Sequence, residues 1–256
     1  MSTIAITRPV SPSIVRCELT HLGRVPIDLA RAEAQHAAYE EALRALGCRL
    51  VRVPGAPDLP DAVFVEDTAI VLDEVAILTR PGAPSRRPET EAVAEGLARY
   101  RPLRRVVDPG TLEGGDVLRA GRTLFVGQSS RTNAAGLAQL REHVAGFGYQ
   151  VVPVEVRECL HLKSAVTLVA PGTFLVQPAW VARDWFAGAT FIEVDPREPF
   201  AANALLVGDG VIYPDVFPLT RLRLEAKGLR VVTVDVSELQ KAEGAVTCCS
   251  VILEQA

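Results

Sequence analysis

Ala69-Ile-Val-Leu72, Asp73-Glu74, Val75-Ala-Ile-Leu78 reads as two short apolar strands joined by a two-residue turn. Three later stretches repeat the plan. Val117-Leu118 to Leu124-Phe-Val126 turns around Gly121, Val166-Thr-Leu-Val169 to Phe174-Leu-Val176 around Pro171-Gly172, and Ala204-Leu-Leu-Val207 to Val211-Ile-Tyr213 around Asp209-Gly210. Each hairpin is followed by helical spacing and then by one short β-branched strand. The expected helices run 88–100, 133–147, 179–187 and 219–227, several closed by a glycine that suits a helix C-terminus. Their strands are Arg105-Val-Val107, Val151-Val-Pro-Val154, Phe191-Ile-Glu-Val194 and Val231-Val-Thr-Val234. A fifth helix, 29–46, ends at Gly47 and leads into Leu50-Val-Arg-Val53, without a hairpin on its N-terminal side.

That unit is completed if the C-terminal strand Cys249-Ser-Val-Ile-Leu253 pairs with Ile4-Ala-Ile6. The result is a ring of five ββαβ units at a spacing of about 40 to 50 residues, a period typical of stacked or radial architectures. A doubly wound open sheet also alternates strands and helices, but its parallel strands need crossovers rather than hairpins. The expected fold is therefore α/β, one domain over 1–256, with five units in a ring.

The 256 residues are 48% hydrophobic, enough for a sizeable core. A net charge of -4 without Lys/Arg-rich runs argues against a nucleic-acid footprint or a polybasic membrane patch, and favours a small-molecule partner. No apolar run approaches the roughly 20 residues of a membrane-spanning helix. The Met-Ser-Thr-Ile start has no signal-peptide character, and the five cysteines, Cys17, Cys48, Cys159, Cys248 and Cys249, are odd in number. Free thiols in a reducing cytoplasm are expected. No CxxC pair marks a zinc site, so no metal is expected.

Because a hairpin returns the chain to its starting end, the loops entering and leaving each hairpin share one mouth. The entering loops, 54–67, 108–116, 157–164, 195–203 and 235–248, carry Asp61, Glu66 and Asp67; Glu113 and Asp116; His161; Asn203; and Cys248. Two leaving loops carry Arg86 and Arg131. A thiol, an imidazole and a carboxylate are the parts of nucleophilic catalysis through sulfur. Each residue also has a plainer reading. His161 between Leu160 and Leu162 fits a satisfied core histidine, Glu113-Gly-Gly-Asp116 fits a tight turn with positive φ, and a C-terminal cysteine fits a small buried hydrophobe. Cys249 is expected in the core, on the strand face opposite Cys248. Three acids beside a buried segment call for a cation, and two arginines call for a carboxylate. A ligand with a guanidinium at one end and a carboxylate at the other describes arginine.

Leu59-Pro-Asp-Ala-Val-Phe-Val-Glu-Asp67, Thr79-Arg-Pro-Gly-Ala-Pro-Ser-Arg-Arg87, Thr111-Leu-Glu-Gly-Gly-Asp-Val-Leu118, Leu160-His-Leu-Lys-Ser164 and Gly244-Ala-Val-Thr-Cys-Cys-Ser-Val251 together resemble the dimethylarginine dimethylaminohydrolases of the guanidine-modifying superfamily. The resemblance spans essentially the whole chain. It implies a five-bladed α/β propeller and cofactor-free hydrolysis of Nω-methylated arginines to citrulline and a methylamine. By motif position it makes Cys248 the nucleophile, His161 the acid and base, and Glu113 the orienting carboxylate. It puts Asp61, Glu66 and Asp67 on the guanidinium, Arg86 and Arg131 on the substrate carboxylate, and Ala242 at the substrate amino group, with Leu19 in a lid over 18–25. An arginine or agmatine deiminase of the same superfamily, an arginine-binding module without catalysis, and a homodimer all stay open at this point.

Overall fold

The computed structural model describes residues 2–255. Its fifteen strands form five sheets of three. The first holds β1 (Ser2–Thr7), β2 (Arg49–Arg52) and the C-terminal β15 (Val251–Gln255), with β1 between the other two. The second holds β3 (Ala69–Val71), β4 (Ala76–Leu78) and β5 (Leu103–Arg105); the third, β6 (Val117–Ala120), β7 (Thr123–Gln128) and β8 (Gln150–Glu155). The fourth holds β9 (Val166–Ala170), β10 (Thr173–Val176) and β11 (Thr190–Glu193); the fifth, β12 (Leu205–Val207), β13 (Gly210–Pro214) and β14 (Arg230–Val234). Every sheet has one plan: an antiparallel neighbour and a parallel neighbour flank a central strand. The expected closure is present, with Ile4 opposite Leu253 and Ile6 opposite Val251.

The crossovers carry α1 (Leu29–Ala45), α2 (Thr90–Leu97), α3 (Ala134–Val144) and α5 (Pro218–Ala226). The Asp28 side chain caps α1 through the Arg31 N–H, and Asn133 caps α3 through Gly136, each satisfying an otherwise orphaned donor. Two single-turn helices, α4 (Leu162–Ala165) and α6 (Ser237–Gln240), lie in entering loops.

The expected helix over 179–187 is absent. That crossover holds only a 3-10 turn, Arg183–Trp185, while Phe186 packs against Phe125 and Phe174 at ring separations of 4.6 and 5.2 Å. Its apolar spacing serves a packed loop rather than a helix face. Strand boundaries also shift. β5 lies two residues earlier than expected, and β15 begins at Val251, leaving Cys248 and Cys249 in a turn.

Side-chain alternation along each strand feeds two cores at once. Ile4 and Ile6 meet Ala76 and Leu78 under α2, joining the first sheet to the second. Ile77 faces the other way, toward Val117, Leu124 and α3. Leu118 and Phe125 join the third sheet to Val166 and Phe174 of the fourth; Val169 and Leu175 join the fourth to Val211 and Tyr213 of the fifth. Ile212 and Val207 return to Ala5, with Tyr39 and Leu43 of α1. Each of these five clusters thus bridges consecutive sheets, and the last bridges the fifth to the first.

Candidate active site

The loops entering the hairpins bring their polar residues to one small, nearly closed cavity. Cys248, His161, Asp61, Asp67, Arg86 and Arg131 line it, together with Ala242 and, on the lid side, Glu18 and Glu243. Its volume is about 20 Å³, little more than one water. Leu19 does not line it; the residue is half-buried against the core shared by the fifth and first sheets.

His161 precedes α4, and its buried ring stands with Nε2 2.7 Å from Glu113 Oε2. Glu113 is fully buried behind it and is braced by the Gly82 N–H at 2.9 Å. Burial works against the imidazolium, but Asp67 at 3.9 Å, the hydrogen bond to Glu113 and the charge of Asp116 outweigh it and raise the ring to about 9. The resting imidazole is therefore protonated. Burial pushes the Cys248 thiol far up, and the Glu66 and Asp67 carboxylates push the same way, so the resting sulfur is neutral.

Asp116 ties the parts together. It accepts hydrogen bonds from the Ser129 and Thr132 hydroxyls at 2.5 and 2.6 Å and from the Leu162 N–H at 3.0 Å. One buried carboxylate thus fixes the loop of Arg131 against the loop of His161. The two glycines between Glu113 and Asp116 are not in the left-handed region, contrary to the tight-turn reading. Close approach demands them instead: a Cβ at Gly114 would lie 1.9 Å from the Glu66 carbonyl oxygen, and one at Gly115 2.7 Å from His161 Nδ1.

Two expected ligand contacts differ in the structure. Glu66 was expected among the acids facing the thiol, but its carboxylate turns away from the cavity. It pairs with Lys163 Nζ at 2.7 Å and accepts the Thr247 hydroxyl at 2.7 Å, because a buried carboxylate takes the cation within reach. Arg86 was expected on the substrate carboxylate and is instead engaged along its whole edge by the chain's own groups. It lies 2.8 Å from Asp67 and 3.0 Å from Glu89, and donates to the Phe64 carbonyl at 3.3 Å. Arg131 is the cation with spare capacity. Its Nη2 donates to the Thr20 hydroxyl at 2.8 Å, while its buried Nη1, 3.5 Å from Glu113, finds no hydrogen-bond acceptor among the described residues.

Asp67, Glu113 and His161 also offer ligand atoms close enough together for a metal ion. Arg86 against Asp67 and the proton retained on His161 already supply the positive charge that such an ion would bring.

The segment 18–25 lies over the mouth from the N-terminal side. Glu243, whose φ of 57° is uncommon outside glycine, sends its carboxylate across the mouth to accept the N–H groups of Thr20, His21 and Leu22 at 2.6 to 3.0 Å. The Glu18 carboxylate accepts the Ser85 hydroxyl at 2.5 Å, and its N–H donates to Asp61 at 3.1 Å. Sequence reasoning missed Glu243, Glu89, Thr20 and Ser85. Only Glu89 left a signal there, an acid three residues after a buried arginine.

The model of the family "N,N dimethylarginine dimethylhydrolase, eukaryotic" matches residues 24–184. An N(G),N(G)-dimethylarginine dimethylaminohydrolase of Streptomyces coelicolor is 43% identical over 98% of this chain and 97% of its own. The chain belongs to the dimethylarginine dimethylaminohydrolase family. The Pseudomonas aeruginosa dimethylarginine dimethylaminohydrolase is 37% identical over 90% of this chain and 91% of its own. A solved structure of a cysteine-to-serine variant of the Pseudomonas aeruginosa family member, complexed with citrulline, superimposes with a TM-score of 0.93 at 34% identity. It covers 99% of this chain and 100% of that one. An arginine dihydrolase domain from cyanobacteria, at 21% identity and a TM-score of 0.89, shares the fold.

Proposed function

We propose that this member of the dimethylarginine dimethylaminohydrolase family hydrolyses Nω-methylated L-arginines to L-citrulline and a methylamine through a covalent adduct on Cys248. The observation that carries this reading is the meeting, in one small, nearly closed cavity, of the Cys248 thiol and the His161 imidazole with the carboxylates of Asp61 and Asp67 and an arginine that has a donor to spare.

Asp61 and Asp67 receive the substrate guanidinium, Arg131 receives its carboxylate while Arg86 holds Asp67 in place, and the Ala242 backbone receives its amino group. Leu19 belongs to the lid, and Glu66 acts from below by holding Thr247, the residue before the nucleophile. A guanidinium beside the thiol lowers its pKa, so substrate arrival helps Cys248 to release its proton to solvent, His161 being already protonated. The thiolate adds to the guanidino carbon, His161 gives its proton to the departing amine as the C–N bond breaks, and a thiouronium adduct remains. His161, now neutral, takes a proton from water, whose oxygen adds to the same carbon. The C–S bond then breaks as the added C–O–H gives up its proton to the departing sulfur, so that citrulline leaves and the neutral thiol and imidazolium of the resting site are restored. Glu113 holds the imidazole in line throughout. No step calls for a cofactor.

The five sheets, whose cores run from each to the next and back to the first, support a five-bladed α/β propeller formed by one domain over 1–256. The five cysteines are all free, which agrees with the cytoplasmic setting read from the sequence. The deciding experiment is a citrulline assay comparing dimethylarginine, monomethylarginine, arginine and agmatine. Turnover of the methylated amino acids with release of methylamine is expected. Ammonia from arginine or agmatine at a higher rate would make the chain a deiminase, and saturable binding without citrulline would make it a binding module.

A further inference from the structure

We infer that Glu89 is a positioning residue of this cavity, holding Arg86 and, through Arg86, Asp67. The inference rests on the substrate reading above. Glu89 ends the 3-10 turn Pro84–Glu89, three residues after Arg86, and is 1% exposed. Its carboxylate takes the outer edge of the guanidinium, with Nε at 3.2 and 3.3 Å and Nη2 at 3.0 Å. A planar fork gripped on that edge has one direction left for its remaining nitrogen. Nη1 accordingly stands 2.8 Å from Asp67 Oδ2, and 4.0 Å from Glu113.

Asp67 is a wall residue of the cavity, and its other oxygen accepts the Gly115 N–H at 3.1 Å and faces His161 at 3.9 Å. From the interior outward acids and bases alternate: Glu89, Arg86, Asp67, His161. Arg8, itself 1% exposed, closes the inner end by donating Nη1 to the Glu89 carbonyl at 3.2 Å. Replacing one Glu89 oxygen by an amide nitrogen sets a donor against the Arg86 edge, leaving Nε one acceptor in place of two while Nη2 keeps the Phe64 carbonyl. Asp67 and Glu113 are then the carboxylates left to compete for that guanidinium, so the acid meant for the substrate is drawn off its line.

The test is binding of dimethylarginine by calorimetry in a Cys248→Ser background, where turnover cannot intervene, alongside kcat and KM in the Cys248 protein. Glu89→Gln keeps volume and removes charge. Its Kd should rise about tenfold or more, the usual worth of a charged hydrogen bond. Combined with Arg86→Lys it should add little to the loss that Arg86→Lys causes alone, since both act through one guanidinium. Additive losses in that cycle, or a folded Glu89→Gln protein with wild-type Kd, would overturn the inference. If the amide variant fails to fold, Glu89→Asp, which keeps the charge one methylene short, takes its place in the same cycle with the same criteria. Wild-type protein that binds but makes no citrulline would sink the proposed hydrolysis while leaving the binding cycle to decide Glu89.

Discussion

His161 and Glu113 share a hydrogen bond of 2.7 Å from which solvent is shut out on both sides. Burial, the largest influence on the ring, disfavours its charge, yet Asp67 and Glu113 hold the imidazole at about 9, above the roughly 6.5 of an unfolded histidine. The stabilisation this provides is fully present below about pH 6.5 and is lost as pH rises through about 9. The urea midpoint should therefore fall across that window for the wild type and fall less for His161→Gln. An equally steep fall in the variant would remove His161 as its source.

The same proton serves catalysis. His161→Gly should slow turnover by roughly 10² to 10⁴-fold, the usual worth of a positioned proton donor, while substrate still binds. Near-normal kcat in that variant would return His161 to the role of a core histidine.

Cys248 is half-buried in the cavity wall, whereas Cys249 is wholly buried beside Tyr39 and Leu43 of α1. Cys248→Ser should abolish citrulline formation and keep the fold, since a hydroxyl is far less ionised than a thiol. Cys249→Ser should keep kcat and lose about 1 kcal/mol of stability to a hydroxyl placed in an apolar core. An electrophilic arginine analogue should label the protein at Cys248; peptide mapping that put the label on Cys249 would reverse the assignment.

Glu243 holds three consecutive lid amides on one carboxylate. Glu243→Ala should release them, and trypsin should then cut after Arg24, within the lid, several-fold faster than in the wild type, as expected of a locally less stable segment. Unchanged cleavage would mean that other contacts keep the lid down.

Gly114→Ala forces a methyl to within 1.9 Å of the Glu66 carbonyl oxygen, a backbone atom that has no rotamer to move to. Overpacking of that kind costs about 1 to 3 kcal/mol or more, and here it also moves Glu113. Both the thermal midpoint and the citrulline rate should fall. A variant with wild-type values for both would show that the loop yields freely.

Much of the fold could be read from the sequence because its information is local: period-two apolar runs, two-residue turns and a glycine after a helix lie within a few residues of one another. The missing helix over 179–187 shows the limit, since Trp180, Val181 and Phe186 bury their side chains from a loop, which the run of apolar residues alone does not distinguish from a helix. At the site, motif position brought Asp61, Asp67, Arg131, His161 and Cys248 to one cavity. Side-chain partners were harder to foresee. That Glu66 turns to Lys163, or that Glu243 reaches a lid more than two hundred residues earlier, depends on distances that exist only after folding.

The pairing of Ile6 with Val251 has a bearing on synthesis. β1 waits, with one edge open, for β15, which is made more than two hundred residues later. Cys248, three residues before β15, takes its place only once that stretch has been made. A nascent or C-terminally truncated chain therefore carries the acids and the imidazole without the sulfur. Opening the chain at Asp209 and joining the present ends through a short linker would let the nucleophile's sheet close early.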